Sequence, residues 1–145
     1  MIWTELTKKA YDIACKSHRG QSDRGGVPYV VHPCTLAAQM TTEEAAATAL
    51  LHDVLEDSET SREDLAEQGI PDRIIWAVVL LSRNCWPGLL YMEYIQNLRQ
   101  DPIAVMVKKA DLQHNLNLSR LGHAPTEEEL SLHHRYEKAI RLLDS

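Results

Sequence analysis

The 145-residue chain has no phenylalanine and only three cysteines. Without phenylalanine, aliphatic side chains and alanine must fill most of any core. Cys15, Cys34 and Cys85 are an odd number and form no C-x-x-C spacing, which argues against a disulfide framework and for a reducing, cytoplasmic setting. No stretch approaches the ~18 apolar residues of a membrane span. The start, Met1-Ile2-Trp3-Thr4-Glu5, lacks the basic and then apolar regions of a signal peptide. No membrane partner is expected. Positive charge is short too: 15 Lys and Arg stand against 21 Asp and Glu, a net charge of −6. A duplex nucleic-acid binder shows a basic stripe, and none is present. A small anionic substrate remains open, because a metal and a few local cations can reverse the sign inside one cleft. Nothing in the sequence specifies an oligomeric state.

What is present is ordinary for a globular chain, 44% hydrophobic and 25% charged. The length suits one domain over residues 1–145. Every long segment reads at helical period. Trp3, Leu6, Ala10, Ile13 and Ala14 share one face of a first helix. Gly20, Gly25, Gly26 and Pro28 mark a loop, and Pro33 suits the first turn of the next helix. Thr41-x-x-Glu44 reads as a capping box for a helix through Ala45–Leu55, and Thr60-x-x-Glu63 as another before a short helix ending at Gly69. Pro71 opens an apolar helix, and Asn84 to Gly88 form a break. Further helices are expected over Leu89–Leu98, from Asp101-Pro102 to about Asn117, and from Thr126-x-x-Glu129 to about Leu143. No segment alternates long enough for a sheet. The expected class is all-α, with about seven helices.

Chemistry concentrates in Leu51-His52-Asp53-Val54-Leu55-Glu56-Asp57, four titratable residues among apolar ones. Burying such groups without partners costs several kcal/mol, so something must compensate them. His52 and Glu56 are four apart, as are Asp53 and Asp57, so each pair would lie on one face of a continuous helix. His32, before Pro33, and Asp111, in Val107-Lys108-Lys109-Ala110-Asp111-Leu112, are likewise polar residues in apolar surroundings. Two imidazoles and two carboxylates suit a first-row divalent ion and leave positions for water or phosphate oxygens.

The order His32…His52-Asp53…Asp111 resembles the HD-domain metal-dependent phosphohydrolases. The finer motifs are His18-Arg19-Gly20-Gln21, Gly26 to Pro33, Leu51 to Asp57, and Val107 to Asn115. They resemble the alarmone hydrolase domain of the bifunctional (p)ppGpp synthetase/hydrolases and their small free-standing relatives. The resemblance implies a compact HD-domain helical bundle. It makes His32, His52, Asp53 and Asp111 the metal ligands, usually for Mn²⁺, with another first-row ion as the alternative. It makes Glu56 and Asp57 the acidic pair that handles the attacking water, and Asn115 a residue of the nucleotide pocket. Lys108 matches a family lysine that meets phosphate or pairs with an acid. Where the family carries an Arg-Lys pair before Tyr29, this chain has Asp23 and Arg24; Arg24 becomes the candidate substrate anchor, whereas Asp23 would repel an anion. His32 and His52 are 20 positions apart, a shorter span than the family's, and Leu118 replaces a small hydroxyl.

Three functions follow. The first is hydrolysis of guanosine-3′,5′-bis(diphosphate) to GDP and pyrophosphate. The second is an HD phosphohydrolase for another nucleotide or NADPH, and the third a non-catalytic nucleotide-sensing or partner-binding domain. His18 and His114 are expected near the site or hydrogen-bonded behind it, Tyr136 in the core, and His123, His133 and His134 on the surface.

Overall fold

Thr4 opens the first helix, its hydroxyl accepting the Thr7 N–H at 3.2 Å while the Thr7 hydroxyl accepts the Thr4 N–H at 2.8 Å. In the computed structural model, which describes residues 1–117 and 121–145, nine α-helices and one 3₁₀ turn follow in order. They are α1 Glu5–Ser17, α2 Val31–Ala38, α3 Glu43–Leu51, α4 Val54–Asp57, α5 Arg62–Glu67, α6 Asp72–Leu81, the turn Arg83–Cys85, α7 Tyr91–Leu98, α8 Pro102–Asn115 and α9 Glu127–Asp144. Among the described residues there is no sheet, only an isolated bridge between Ser22 and Pro28. The class is all-α, as expected.

Alanine decides the layout. In α3 every residue from Ala45 to Leu51 is buried, and α1, α2, α6 and α8 pack around it. Small side chains let neighbouring axes come close, which suits a helix surrounded on all sides. The rest of the core is aliphatic, and the large aromatic Tyr94 is buried with its hydroxyl donating to the Leu81 carbonyl at 2.6 Å. All three cysteines are free thiols.

Three sequence expectations move. Thr42, not Thr41, caps α3, accepting the Ala45 N–H at 3.1 Å. Ser61, not Thr60, caps α5 in a box with Asp64, because the Thr60 hydroxyl is engaged with Ser17 of α1 at 2.7 Å. The largest change is that the expected Ala45–Leu55 helix is broken at His52-Asp53, which raises the helix number above seven. The His52 N–H reaches Ala49 at 3.5 Å and its ring bonds the same carbonyl at 2.7 Å, tightening the last turn. Asp53 then sits at φ −106°, ψ −2°, outside regular helix, and the Asp57 N–H restarts the ladder on the Asp53 carbonyl at 2.9 Å.

Candidate metal centre and active site

That break makes the site. It turns His52 and Asp53 toward α2 and α8, which carry His32 and Asp111. The His32 Nε2 lies 2.7 Å from Asp111 Oδ1, and His52 Nε2 lies 2.9 Å from Asp53 Oδ2 and 3.7 Å from Asp111 Oδ1. Four residues expected to act together are therefore brought together, all but Asp53 below 9% exposed.

The His52 ring is diagnostic. A carbonyl can only accept, so the contact with Ala49 puts the ring proton on Nδ1 and leaves Nε2 as a lone pair. This Nε2 is buried without a hydrogen-bond partner, facing two carboxylates. Three electron-rich atoms converging in a buried place repel one another unless a cation sits between them. Without an ion a second proton on Nε2 would take that place: burial disfavours it, yet Asp53 and Asp111 outweigh burial and raise the pKa of the ring well above the ordinary value. His32, His52 and Asp53 each offer a ligand atom within 4.8 Å of the others, and Asp111 joins them through its bond to His32. Two nitrogens and two oxygens suit a divalent metal.

The surroundings orient these four side chains. Burial pushes Asp111 up, but the Lys108 ammonium at 3.1 Å and the two imidazoles hold it well below the carboxylate range. Asn115 also donates to Asp111 Oδ1, at 3.1 Å. His32 Nδ1 meets His114 Nδ1 at 2.6 Å, with the rings stacked. The Tyr29 hydroxyl donates to Asp53 Oδ2 in a short bond; burial and the Asp53 charge raise its pKa, keeping it a donor.

Glu56 and Asp57 form a second group with Asp53, their oxygens also within 4.8 Å. Both are solvent-accessible. Burial of their carboxyl surroundings and the Asp53 charge raise both pKa values, so each is primed to take a proton. The Arg83 N–H from the 3₁₀ turn donates to Glu56 Oε1 at 2.7 Å.

His32 also borders a cavity of about 280 Å³, lined by Arg24, Tyr29, Asn115, Glu129 and Tyr136 among others. Arg24 and Asn115 thus stand where a nucleotide pocket was expected. Lys108 does not line this cavity; it pairs with Asp111 at 3.1 Å, the acid partner that was one of its two expected roles, and lies over the Tyr94 ring at 5.3 Å. Tyr136 both packs on the core and walls the cavity, and His133, expected on the surface, lines it too. Asp23 is taken up by its own loop, its Oδ1 accepting the Gly25 and Val27 N–H groups at 2.8 and 3.0 Å. Leu118 lies outside the described residues.

Sequence reasoning passed over Glu129. It is 6% exposed, accepts His123 Nε2 at 3.0 Å, the Thr126 N–H at 3.1 Å and Arg24 at 3.2 Å, and these bonds hold its pKa down to about 2. Its one sequence signal was the Thr126-x-x-Glu129 box, which announces a helix start and not a cavity wall.

No family model matches the chain. A structure of a metazoan ortholog of SpoT that hydrolyzes ppGpp superposes with a TM-score of 0.78 at 24% identity, covering 99% of this chain and 87% of that one. The chain has the fold of that protein. Curated relatives align with most of the chain's length. The Myxococcus xanthus protein named GTP pyrophosphokinase is 33% identical over 140 residues, 86% of this chain and 18% of that one. The Aquifex aeolicus guanosine-3′,5′-bis(diphosphate) 3′-pyrophosphohydrolase is 35% identical over 122 residues, 77% of this chain and 17% of that one. The bifunctional (p)ppGpp synthase/hydrolase SpoT of Escherichia coli is 38% identical over 122 residues, 75% and 17%. The chain spans less than a fifth of the length of these curated relatives. Among the described residues no helix is long and apolar enough to cross a membrane.

Proposed function

We propose that residues 1–145 act as one metal-dependent phosphohydrolase unit that hydrolyses guanosine-3′,5′-bis(diphosphate) to GDP and pyrophosphate. The observation that carries this reading is the unpartnered, buried His52 Nε2 facing Asp53 and Asp111, in a cluster that also touches an acidic pair and, through His32, a cavity of about 280 Å³. Relatives named for ppGpp hydrolysis support it. The ligands would be His32, His52, Asp53 and Asp111, with Mn²⁺ as the expected ion. When bound, such an ion supplies charge that polarises a phosphate oxygen and acidifies nearby water.

The chain's own residues do the rest. Asn115, Tyr136 and Arg24 hold the nucleoside end in the cavity, so that the 3′-diphosphate extends toward the ligands. Glu56 and Asp57 take the proton of the attacking water and return one to the leaving oxygen. The water oxygen bonds to the phosphorus on O3′, the P–O3′ bond breaks, and O3′ leaves protonated. Lys108 keeps Asp111 ionised for its part in the ligand set. Three free thiols support a reducing, cytoplasmic compartment as part of this reading.

A second reading, action on another nucleotide such as NADPH, is favoured by one observation: among the described residues that line the cavity Arg24 is the one arginine or lysine, and Glu129 engages it. Incubating the Mn²⁺-loaded protein with ppGpp, ppApp and NADPH beside an Asp53→Ala control separates the readings. Pyrophosphate from ppGpp, lost in the control, is the expected result. Orthophosphate from NADPH alone would move the substrate, and binding without turnover would overturn the hydrolase reading.

A further inference from the structure

The acidic pair stands on α4, a helix of four residues whose next residue, Ser58, is already extended at φ −147°. One turn of helix has no stability of its own, since nucleation costs more than a single hydrogen bond returns. Tertiary bonds must therefore fix where Asp57 stands. Glu56 has its anchor in the Arg83 N–H, and the Asn84 amide holds the Leu55 carbonyl at 2.9 Å. The anchor of Asp57 comes from the opposite side, through His18-Arg19-Gly20-Gln21.

The Gln21 Nε2 donates to the Asp57 carbonyl at 2.6 Å, while its Oε1 meets His18 Nδ1 at 2.9 Å. An amide oxygen accepts only, so His18 carries its proton on Nδ1 and selects the amide orientation that aims Nε2 at Asp57. His18 is 3% exposed, its Nε2 has no partner, and its ring packs on Tyr29 with centroids 4.9 Å apart. The backbone of the same glutamine reaches the other end of the acidic segment. Its carbonyl accepts the Tyr29 N–H at 2.8 Å, and Tyr29 binds the Asp53 carboxylate. Gly20, at φ +80°, makes the turn between His18 and Gln21, a conformation other residues rarely take.

We propose that Gln21, oriented by His18, is a positioning residue that sets Asp57 and Tyr29 together against the metal ligands. It touches no reacting atom. Its side chain fixes one end of the Asp53–Asp57 segment and its main chain, through Tyr29, the other. The inference rests on the hydrolase reading of the acidic pair, but its test does not depend on that reading alone.

The test compares the full chain with Gln21→Leu and Gln21→Glu. The glutamate keeps an acceptor for His18 but sets an oxygen against the Asp57 carbonyl, so both variants lose the same bond. In the metal-free protein, amide hydrogen exchange over residues 54–58 is expected to quicken at least about tenfold in both variants, with α9 unchanged. With Mn²⁺ and ppGpp, kcat should fall about ten- to a hundredfold at nearly constant KM. Wild-type exchange over residues 54–58 in Gln21→Glu would overturn the proposal. So would a fall in Tm accompanied by faster exchange throughout the chain, which marks general destabilisation. If the wild type turns over no nucleotide, the hydrolase reading fails while the exchange comparison still decides the role of Gln21.

Discussion

The ligand cluster and the cavity beside it are held in different ways. His32, His52, Asp53 and Asp111 come from α2, the α3–α4 junction and α8, elements packed into the core, and three of the four are buried. The cavity draws Arg24 and Asp23 from a loop and Glu129 from the first turn of α9, and the Arg24 side chain is 56% exposed. In the first region a buried charge deficit fixes the chemistry, since misplaced carboxylates would repel. In the second, a few polar bonds on surface segments set the shape, and they can be exchanged at small cost. Metal chemistry is thus expected to tolerate little change, and substrate choice to tolerate more.

The sharpest way to break this contrast is to remove a ligand. Asp53→Ala should lose metal by calorimetry and lower kcat/KM by at least about a thousandfold, the several kcal/mol a metal's charge supplies. Retained turnover would show that the cluster is not the reaction centre. Glu56→Gln should keep the metal and still lower kcat about a hundredfold or more. The pH profile gives the sign. Burial and the Asp53 charge raise Glu56 and Asp57, so the active, ionised forms are lost as pH falls through values above the ordinary carboxylate range. The acidic limb of kcat/KM should therefore lie above the ordinary carboxylate range.

In the cavity the effects are expected to be smaller. Arg24→Ala should raise KM for ppGpp about tenfold, the worth of one charged hydrogen bond, with metal affinity unchanged. A loss of metal in this variant would erase the distinction between the two regions. Smallest of all is Glu129→Gln, read as a difference in Tm from wild type. The Glu129 pKa is depressed to about 2, so its contribution is present above the unfolded value, ~4.3, and is lost as pH falls toward 2. The difference should be largest near neutral pH and vanish in acid.

The four candidate ligands stood out in the sequence because each is a polar residue among apolar ones, an imbalance that only a partner can compensate. The all-α class was legible in the 3.6-residue period. The break at His52-Asp53 was not, since Ala45 to Leu55 has helical composition throughout and the interruption comes from a ring bonding back to Ala49. Lys108 had two readings, phosphate or acid, and its pair with Asp111 is an i,i+3 contact along α8 that helical spacing already allowed. Glu129 and His133 looked like a helix cap and a surface residue, because their places on the cavity depend on how α9 meets a loop more than a hundred residues earlier.

By itself, then, the sequence determined a helical fold and picked out four candidate ligands, features written in local pattern and in the cost of burying charge; the role expected of the acidic pair came from the family resemblance. Tertiary structure alone decided which lone pair lacks a partner, which turn carries the acids, and what holds that turn. Those are matters of distance between segments remote along the chain, and no local propensity encodes them.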